Sequence, residues 1–301
     1  MTDNTKGILY AAITASLWGF LAIALKIAVT DLSPVTVVWF RFTTAIFILA
    51  LLTFIFRKSD FRIFRKPPLR LFLTALFLGF NYLGFISGIN YVSPSSSQVF
   101  IMVGPVTFAL AGIVIFKEQV TWRHIAGFIV VVSGILLFYS EQIAELAETD
   151  HHFTKGMLLI FGGGLSWTVF ASLQKTLVKK YTTNQLNLFI YSFCSLIFMP
   201  FAQYAKFPDL ATPSWMLLFF LGLNTVIAYG SLAMAIKFTA ANRVSVIIVL
   251  NPIITFVTMG VLTKMQVGWI EPETFSHLSI AGALTVLLGA MIVIFASSKR
   301  H

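Results

Sequence analysis

The stretch LWGFLAIALK, Leu17–Lys26, recurs in altered form as LSWTVFASLQK, Leu165–Lys175. A constant offset of 149 residues pairs Trp18 with Trp167, Ala22 with Ala171 and Lys26 with Lys175. The paired residues within each stretch are four apart, so they share one helical face. The repeat therefore predicts one kind of helix used twice, with small residues and one large aromatic on a common face.

The repeat continues along the chain with a changing offset. QVFIMVGP (98–105) matches SVIIVLNP (245–252) at an offset of 147, which pairs Pro105 with Pro252. GFIVVVSG (127–134) matches GALTVLLG (282–289) at an offset of 155 and repeats a seven-residue glycine spacing. The growth of the offset places an insertion around GWIEPETF (268–275), before the last repeated segment.

The composition excludes a soluble protein. The chain has 301 residues, of which 58% are hydrophobic and 11% charged, and its mean hydropathy is +0.89. Its apolar runs are continuous and near the 20 residues that a membrane-spanning helix needs, whereas barrel strands would alternate. The fold class is therefore an all-α integral membrane protein. Ten spans are predicted at 8–29, 35–56, 70–91, 95–116, 124–140, 155–178, 183–205, 214–237, 242–263 and 278–297.

The distribution of charge predicts the orientation of these spans. With the amino terminus in the cytoplasm, sixteen Lys and Arg residues fall on the inner side and three, Lys155, Lys206 and Lys264, on the outer side. The acids Glu271 and Glu273 fall on the outer side. Cytoplasmic loops of membrane proteins carry an excess of basic residues. The pattern predicts a multi-pass protein with both termini in the cytoplasm and a retained first helix.

Two halves of five spans must run in opposite directions through the membrane, because five is odd. The predicted units are 1–140, an external linker at 141–154, and 155–301. An inverted repeat has two near-equivalent packings, one open inward and one open outward, which is the requirement for alternating access.

Four segments in this order, LWGFLAIALK, SPVTVVWFRF, NYVSPSSSQVFIMVGP and FKEQVTWRHIAG, resemble the drug/metabolite transporter superfamily in its ten-helix EamA-type branch. The resemblance covers nearly the whole chain. It implies two inverted five-helix repeats in a bacterial cytoplasmic membrane, export of amino acids or other metabolites, and a cavity lined by the first, third and fourth helices of each half. The second half departs from the pattern, with Met265 matched to Glu118 and Ile190 matched to Arg41.

Uncharged side chains inside the spans are the candidates for substrate binding. The two tryptophans lie away from the interfacial belt in which tryptophan is usually found. The polar candidates could equally bond a neighbouring helix. The predicted substrate-binding residues are Trp18, Asn81, Tyr82, Gln98, Trp167 and Tyr229, with Ser97, Asn224 and Asn251 as further polar groups for the cavity.

Charged residues and prolines supply the other candidates. Arg41 lies inside a span and Lys26 near its outer end, so both are candidates for gating or charge contact, or for snorkelling to the interface. Glu118 is expected to form a structural ion pair with Lys117 or Arg123. Pro105 and Pro252 each remove a backbone hydrogen bond in mid-span and are candidate hinges.

Several classes of site are not expected. No catalytic motif and no cluster of metal ligands is present, Cys194 is a single cysteine, and neither an enzyme nor a cofactor is predicted. The net charge of +10 serves topology rather than nucleic acid. The expected partners are the lipid bilayer and a small-molecule substrate, and a monomer is compatible with the sequence. The predicted function is secondary transport of small metabolites, with amino acids or related compounds as the expected class; the alternative is a lipid-handling protein or a channel.

Overall fold

The computed structural model describes residues 2–118, 120–138, 140, 151–273 and 275–296. Most of the predicted linker, 141–150, lies outside the described residues. The helices are α1 (Asp3–Asp31), α2 (Pro34–Phe56), α3 (Leu69–Ile89), α4 (Pro94–Phe100), α5 (Val103–Val114), α6 (Trp122–Phe138), α7 (His151–Leu177), α8 (Thr183–Phe198), α9 (Thr212–Phe238), α10 (Ala241–Ile248), α11 (Asn251–Lys264) and α12 (His277–Ala296). No strand occurs among these described residues, so the all-α prediction is confirmed.

Length and hydropathy agree with a multi-pass membrane protein. Within the described part of the chain, seven helical stretches are long and apolar enough to cross a bilayer, and two shorter apolar helices accompany them. The seven are Asp3–Asp31, Pro34–Phe56, Leu69–Ile89, Pro94–Val114, His152–Leu177, Thr212–Phe238 and Ala241–Lys264. Large apolar side chains also cover the outside of the bundle; Phe47 is 71% exposed and Leu69 76%. Such a surface suits lipid as the solvent.

Two of the predicted spans are broken helices. The span predicted at 95–116 is α4 followed by α5, and the span predicted at 242–263 is α10 followed by α11. Each break lies within four residues before a proline, Pro105 or Pro252. Proline cannot donate to the carbonyl four residues earlier, and its ring clashes there, so a continuous helix is not available. The predicted spans at 95–116 and 242–263 therefore correspond to the apolar stretches Pro94–Val114 and Ala241–Lys264, each interrupted by a short turn.

A third boundary also differs from its prediction. The span predicted at 183–205 ends as a helix at Phe198 and continues in the 3₁₀ segments Met199–Phe201 and Tyr204–Asp209. Pro200 lies two residues after the end of α8. It has no N–H to donate to the carbonyl of Leu196, four residues earlier, so the α-helical hydrogen bonds cannot continue there.

The main contacts between the described helices follow the relation between the two halves. Each of these contacts between two helices is matched by a contact between their equivalents in the other half. α1 packs against α9 and α3 against α7, while α2 packs against α8 and α6 against α12. The broken helices follow the same rule, because α5 contacts α10 and α4 contacts α11. We call the two ends of this bundle the Lys26 end and the Lys175 end.

The two broken helices end in the same kind of turn. Lys117 and Gln266 both adopt a left-handed backbone conformation with φ of 52°. These two residues are 149 positions apart, as are the two tryptophans. The two prolines are only 147 apart, because α11 has 14 residues and α5 has 12. Counted from these turns, Glu118 corresponds to Val267. The earlier match of Glu118 with Met265 was therefore wrong by two residues.

Candidate functional site

A small cavity of about 50 Å³ lies where the two broken helices meet α1, α3, α7 and α9. The breaks themselves contribute to its wall, since Ile101 and Met102 follow α4 and Ile248 ends α10. The lining residues are Trp18, Leu21, Asn81, Phe85, Gln98, Ile101, Met102, Pro105, Trp167, Tyr229, Ile248 and Asn251. None of these cavity-lining side chains is charged. Mostly apolar and aromatic walls without a charged side chain suit a solute that brings no net charge.

Aromatic contacts organise one side of the cavity. The ring of Trp18 meets that of Trp167 edge-on, with centroids 5.9 Å apart, and lies 5.2 Å from the ring of Tyr229. Trp167 also meets Phe108 edge-on at 5.6 Å. Edge-to-face pairs of this kind add stabilisation beyond the area that they bury. The duplicated tryptophans thus come together across the two halves.

Amide side chains fix the backbone around the same cavity. Asn81 donates to the carbonyl of Gly163 at 3.0 Å and accepts from the hydroxyl of Tyr229 at 3.3 Å. Gln98 donates to the carbonyl of Trp18 at 3.0 Å. The Asn81 bond joins α3 to α7, while Gln98 joins α4 to α1. Three of the predicted polar residues are therefore part of helix packing as well as of the cavity lining.

Several buried polar atoms of the lining have no hydrogen-bond partner in the described structure. They are the indole nitrogens of Trp18 and Trp167 and the side-chain oxygen of Asn251. A buried polar group without a partner costs free energy, which a ligand with matching atoms can recover. The cavity thus offers two donors and one acceptor without any fixed charge.

Tyr82 and Arg41 lie one layer behind the cavity rather than on its wall. The ring of Tyr82 is 5.4 Å from that of Tyr229, and the Arg41 guanidinium lies 4.3 Å from the centre of the Tyr82 ring. Both side chains donate to the hydroxyl oxygen of Thr225, Arg41 through Nε at 3.2 Å and Tyr82 at 3.3 Å. Arg41 is 2% exposed and its Nη2 has no partner among the described residues. This cluster joins α2 and α3 of one half to α9 of the other.

The two lysines of the repeat perform the same task at opposite ends of the bundle. Lys26 donates to the carbonyls of Ile89 and Val92, at 3.0 and 3.1 Å, where α3 ends. Lys175 donates to the carbonyl of Thr239 at 3.3 Å, where α9 ends. Positive charge is favourable at the carboxyl end of a helix. Both lysines therefore hold the end of a neighbouring helix beside the start of a broken one.

Glu118 binds the second half of the chain, not its own neighbours. Its carboxylate accepts hydrogen bonds from the backbone N–H groups of Ala241, at 2.8 Å, and Asn242, at 3.3 Å, where α10 begins. It also forms an ion pair with Lys175 at 3.2 Å. The predicted partners Lys117 and Arg123 were wrong, because the left-handed turn at Lys117 directs residue 118 toward α10.

Glu273 is a further candidate residue that no sequence pattern singles out. Its carboxylate accepts from the backbone N–H of Ser95, at 3.3 Å, in the first turn of α4. Burial raises the pKa of the Glu273 carboxyl above its ordinary value, while the Ser95 hydrogen bonds and the positive charge of Lys26 oppose that rise. The sequence does contain one indication of this residue's role: an acidic insertion lies in the half of the chain that lacks an equivalent of Glu118.

Comparison with known proteins agrees with this fold. The model of the EamA-like transporter family matches the chain twice, at residues 5–140 and 154–295. A solved crystal structure superposes with a TM-score of 0.73 at 15% identity, over 99% of this chain and 100% of that one, which supports the fold alone.

Two curated relatives extend over almost the same length. An uncharacterized transporter of Haemophilus influenzae is 30% identical over 95% of this chain and 94% of its own. The uncharacterized inner membrane transporter YhbE of Escherichia coli is 31% identical over 95% of this chain and 90% of its own. The chain therefore belongs to the EamA-like transporter family.

Proposed function

We propose that this membrane transporter is a secondary carrier of small metabolites that works by alternating access. The observation that carries the proposal is the cavity at the two helix breaks, which both halves line with the duplicated Trp18 and Trp167. A site shared by two similar halves can be exposed to either side by rocking one half against the other. The paired packing of the helices supports an inverted repeat of five plus five spans.

The orientation follows from the charge distribution. In this proposal both termini and the Lys175 end face the cytoplasm of a bacterial cell, and the Lys26 end faces outward. The name of the Escherichia coli relative, an inner membrane transporter, supports the same membrane for this chain. Single reporter fusions after Lys6 and within 141–150 test the orientation, with cytoplasmic and external signals expected respectively.

The substrate is a small molecule without net charge, and amino acids in their zwitterionic form remain the expected class. The cavity wall has no charged side chain to neutralise a net charge, which would be costly to desolvate. It has instead apolar and aromatic walls with two donors and one acceptor that lack partners.

The test is solute exchange in proteoliposomes after a thermal-shift screen of metabolites has identified a stabilising solute. Saturable uptake that internal solute accelerates is expected of a carrier. Flux that does not saturate would identify a channel, and lipid movement without solute exchange would identify a lipid-handling protein. Either result would overturn the proposal.

A further inference from the structure

Glu118 connects the two halves of the chain at the Lys175 end. It follows α5 in the first half and caps the start of α10 in the second half, next to Lys175. A carboxylate at a helix amino terminus satisfies N–H groups that have no partner within the helix and interacts favourably with the helix dipole. We call this group, Glu118 with Lys175 and the first N–H groups of α10, the inner latch.

Glu273 makes the reverse connection at the Lys26 end. It follows α11 in the second half and accepts from Ser95 at the start of α4 in the first half. Its own N–H donates to the Thr263 hydroxyl at 2.9 Å, which holds the loop against α11. Ser95 and Asn242, the residues that the two acids bind, differ by 147, the offset of the two prolines. The two carboxylates therefore bind equivalent positions of the two broken helices.

The surrounding charges are equivalent as well. Lys26 and Lys175 correspond in the repeat, and each binds the carboxyl end of the helix that precedes the capped one. Lys26 attracts the charges of both Glu271 and Glu273. The insertion at 268–275 thus supplies a carboxylate that the turn after α11 lacks, because Val267 stands where Glu118 would be.

We propose that Glu273 is a positioning residue that forms an outer latch with Lys26 and the N–H of Ser95, and that release of this latch opens the cavity at the Lys26 end. The direction of this opening, toward the outside of the cell, rests on the proposed function. The inner latch has a carboxylate contact of 2.8 Å and an ion pair. In the outer latch the Glu273 carboxylate is held by the N–H of Ser95 at 3.3 Å and by the side chains of Ser93 and Ser95, and it is attracted by the charge of Lys26.

Labelling of a single cysteine tests the outer latch directly. Cys194, which is buried, is replaced by alanine, and Leu21→Cys places a thiol in the cavity on the side toward Lys26. Right-side-out vesicles are treated with a membrane-impermeant maleimide. Glu273→Gln keeps the size of the side chain and removes its charge, and we expect it to raise the labelling rate about 5- to 10-fold, within the usual range of coupling between sites. Glu273→Asp keeps the charge with a shorter reach and should give an intermediate rate.

Glu271→Gln is the matched control, because this exposed acid of the same loop also attracts Lys26 but has no described hydrogen bond to α4. Its labelling rate should stay within twofold of the parent. A rate for Glu273→Gln equal to that of Glu271→Gln would overturn the latch. The unfolding temperature of each variant is measured first, and Glu273→Asp carries the test if the Gln variant does not fold.

The outcome for the latch is separate from that for transport. If the parent exchanges solute but its Glu273→Gln variant labels at the parent rate, the latch fails and the proposed function stands. If labelling rises as expected but the parent exchanges no solute, the latch stands and the proposed function fails.

Discussion

At the scale of single residues, the cavity depends on side chains that the repeat places in equivalent positions. Trp18 and Trp167 could be predicted as a pair from their register, and their contact at 5.9 Å shows why a duplicated aromatic lies in mid-span. Tyr82 belongs to the same uncharged set in the sequence but lies behind the wall. Sequence periodicity shows which residues lie on the same face of a helix. It cannot show whether a residue on that face lines the cavity or lies in the layer behind it.

The indole N–H of Trp167 provides a prediction for solute binding. Trp167→Phe keeps most of the ring and removes the donor, so the solute should lose one hydrogen bond, worth about 1–2 kcal/mol. We expect the half-saturating solute concentration to rise about tenfold in exchange assays. Trp215→Phe is the control, because Trp215 packs with Phe40 and Phe207 away from the cavity. Equal effects of the two substitutions would remove Trp167 from the binding site.

At the scale of secondary structure, the broken helices place chain ends where a continuous helix would have none. The prolines could be recognised as possible kinks from the sequence, but the complete separation of α4 from α5 could not. The positions of the broken helices also involve partners from the other half, since Glu118 and Glu273 bind the N–H groups at the starts of α10 and α4. Those partners are distant in sequence, and a register shift of two residues obscured one of them.

The breaks predict that transport rate and solute binding can be changed separately. Pro105→Ala and Pro252→Ala each restore an N–H that can bond the carbonyl four residues earlier and straighten the helix. We expect the maximal exchange rate to fall about tenfold for the double variant, while the half-saturating concentration changes less than threefold. Pro213→Ala is the control, since Pro213 lies in the first turn of α9, where its missing N–H costs nothing. An unchanged exchange rate for the double variant would exclude a hinge at these breaks.

At the scale of the whole molecule, the halves meet closely where α6 packs on α12. The sequence shows the glycine spacing of both helices, and the structure shows its use. A Cβ added at Gly134 would lie 2.6 Å from the backbone nitrogen of Val286, and one added at Gly289 would lie 2.7 Å from that of Val131. Glycines allow such backbone contact between membrane helices. The spacing could be seen in each half separately, but that the two glycine faces meet each other could not.

This contact predicts opposite effects for the same substitution at different glycines. Gly134→Ala and Gly289→Ala must push α6 and α12 apart, because the obstructing atoms are backbone, and each should lower the free energy of unfolding by about 2 kcal/mol. Gly162 is the matched control on α7, where an added Cβ meets nothing within 4 Å. Gly162→Ala should be neutral or stabilise by up to about 1 kcal/mol, since alanine is the better helix former. Unfolding in the same detergent measures all three. Equal stability of Gly134→Ala and Gly162→Ala would mean that the association of the halves does not depend on this contact. The halves would then be held together by the latches and by the aromatic cluster around the cavity.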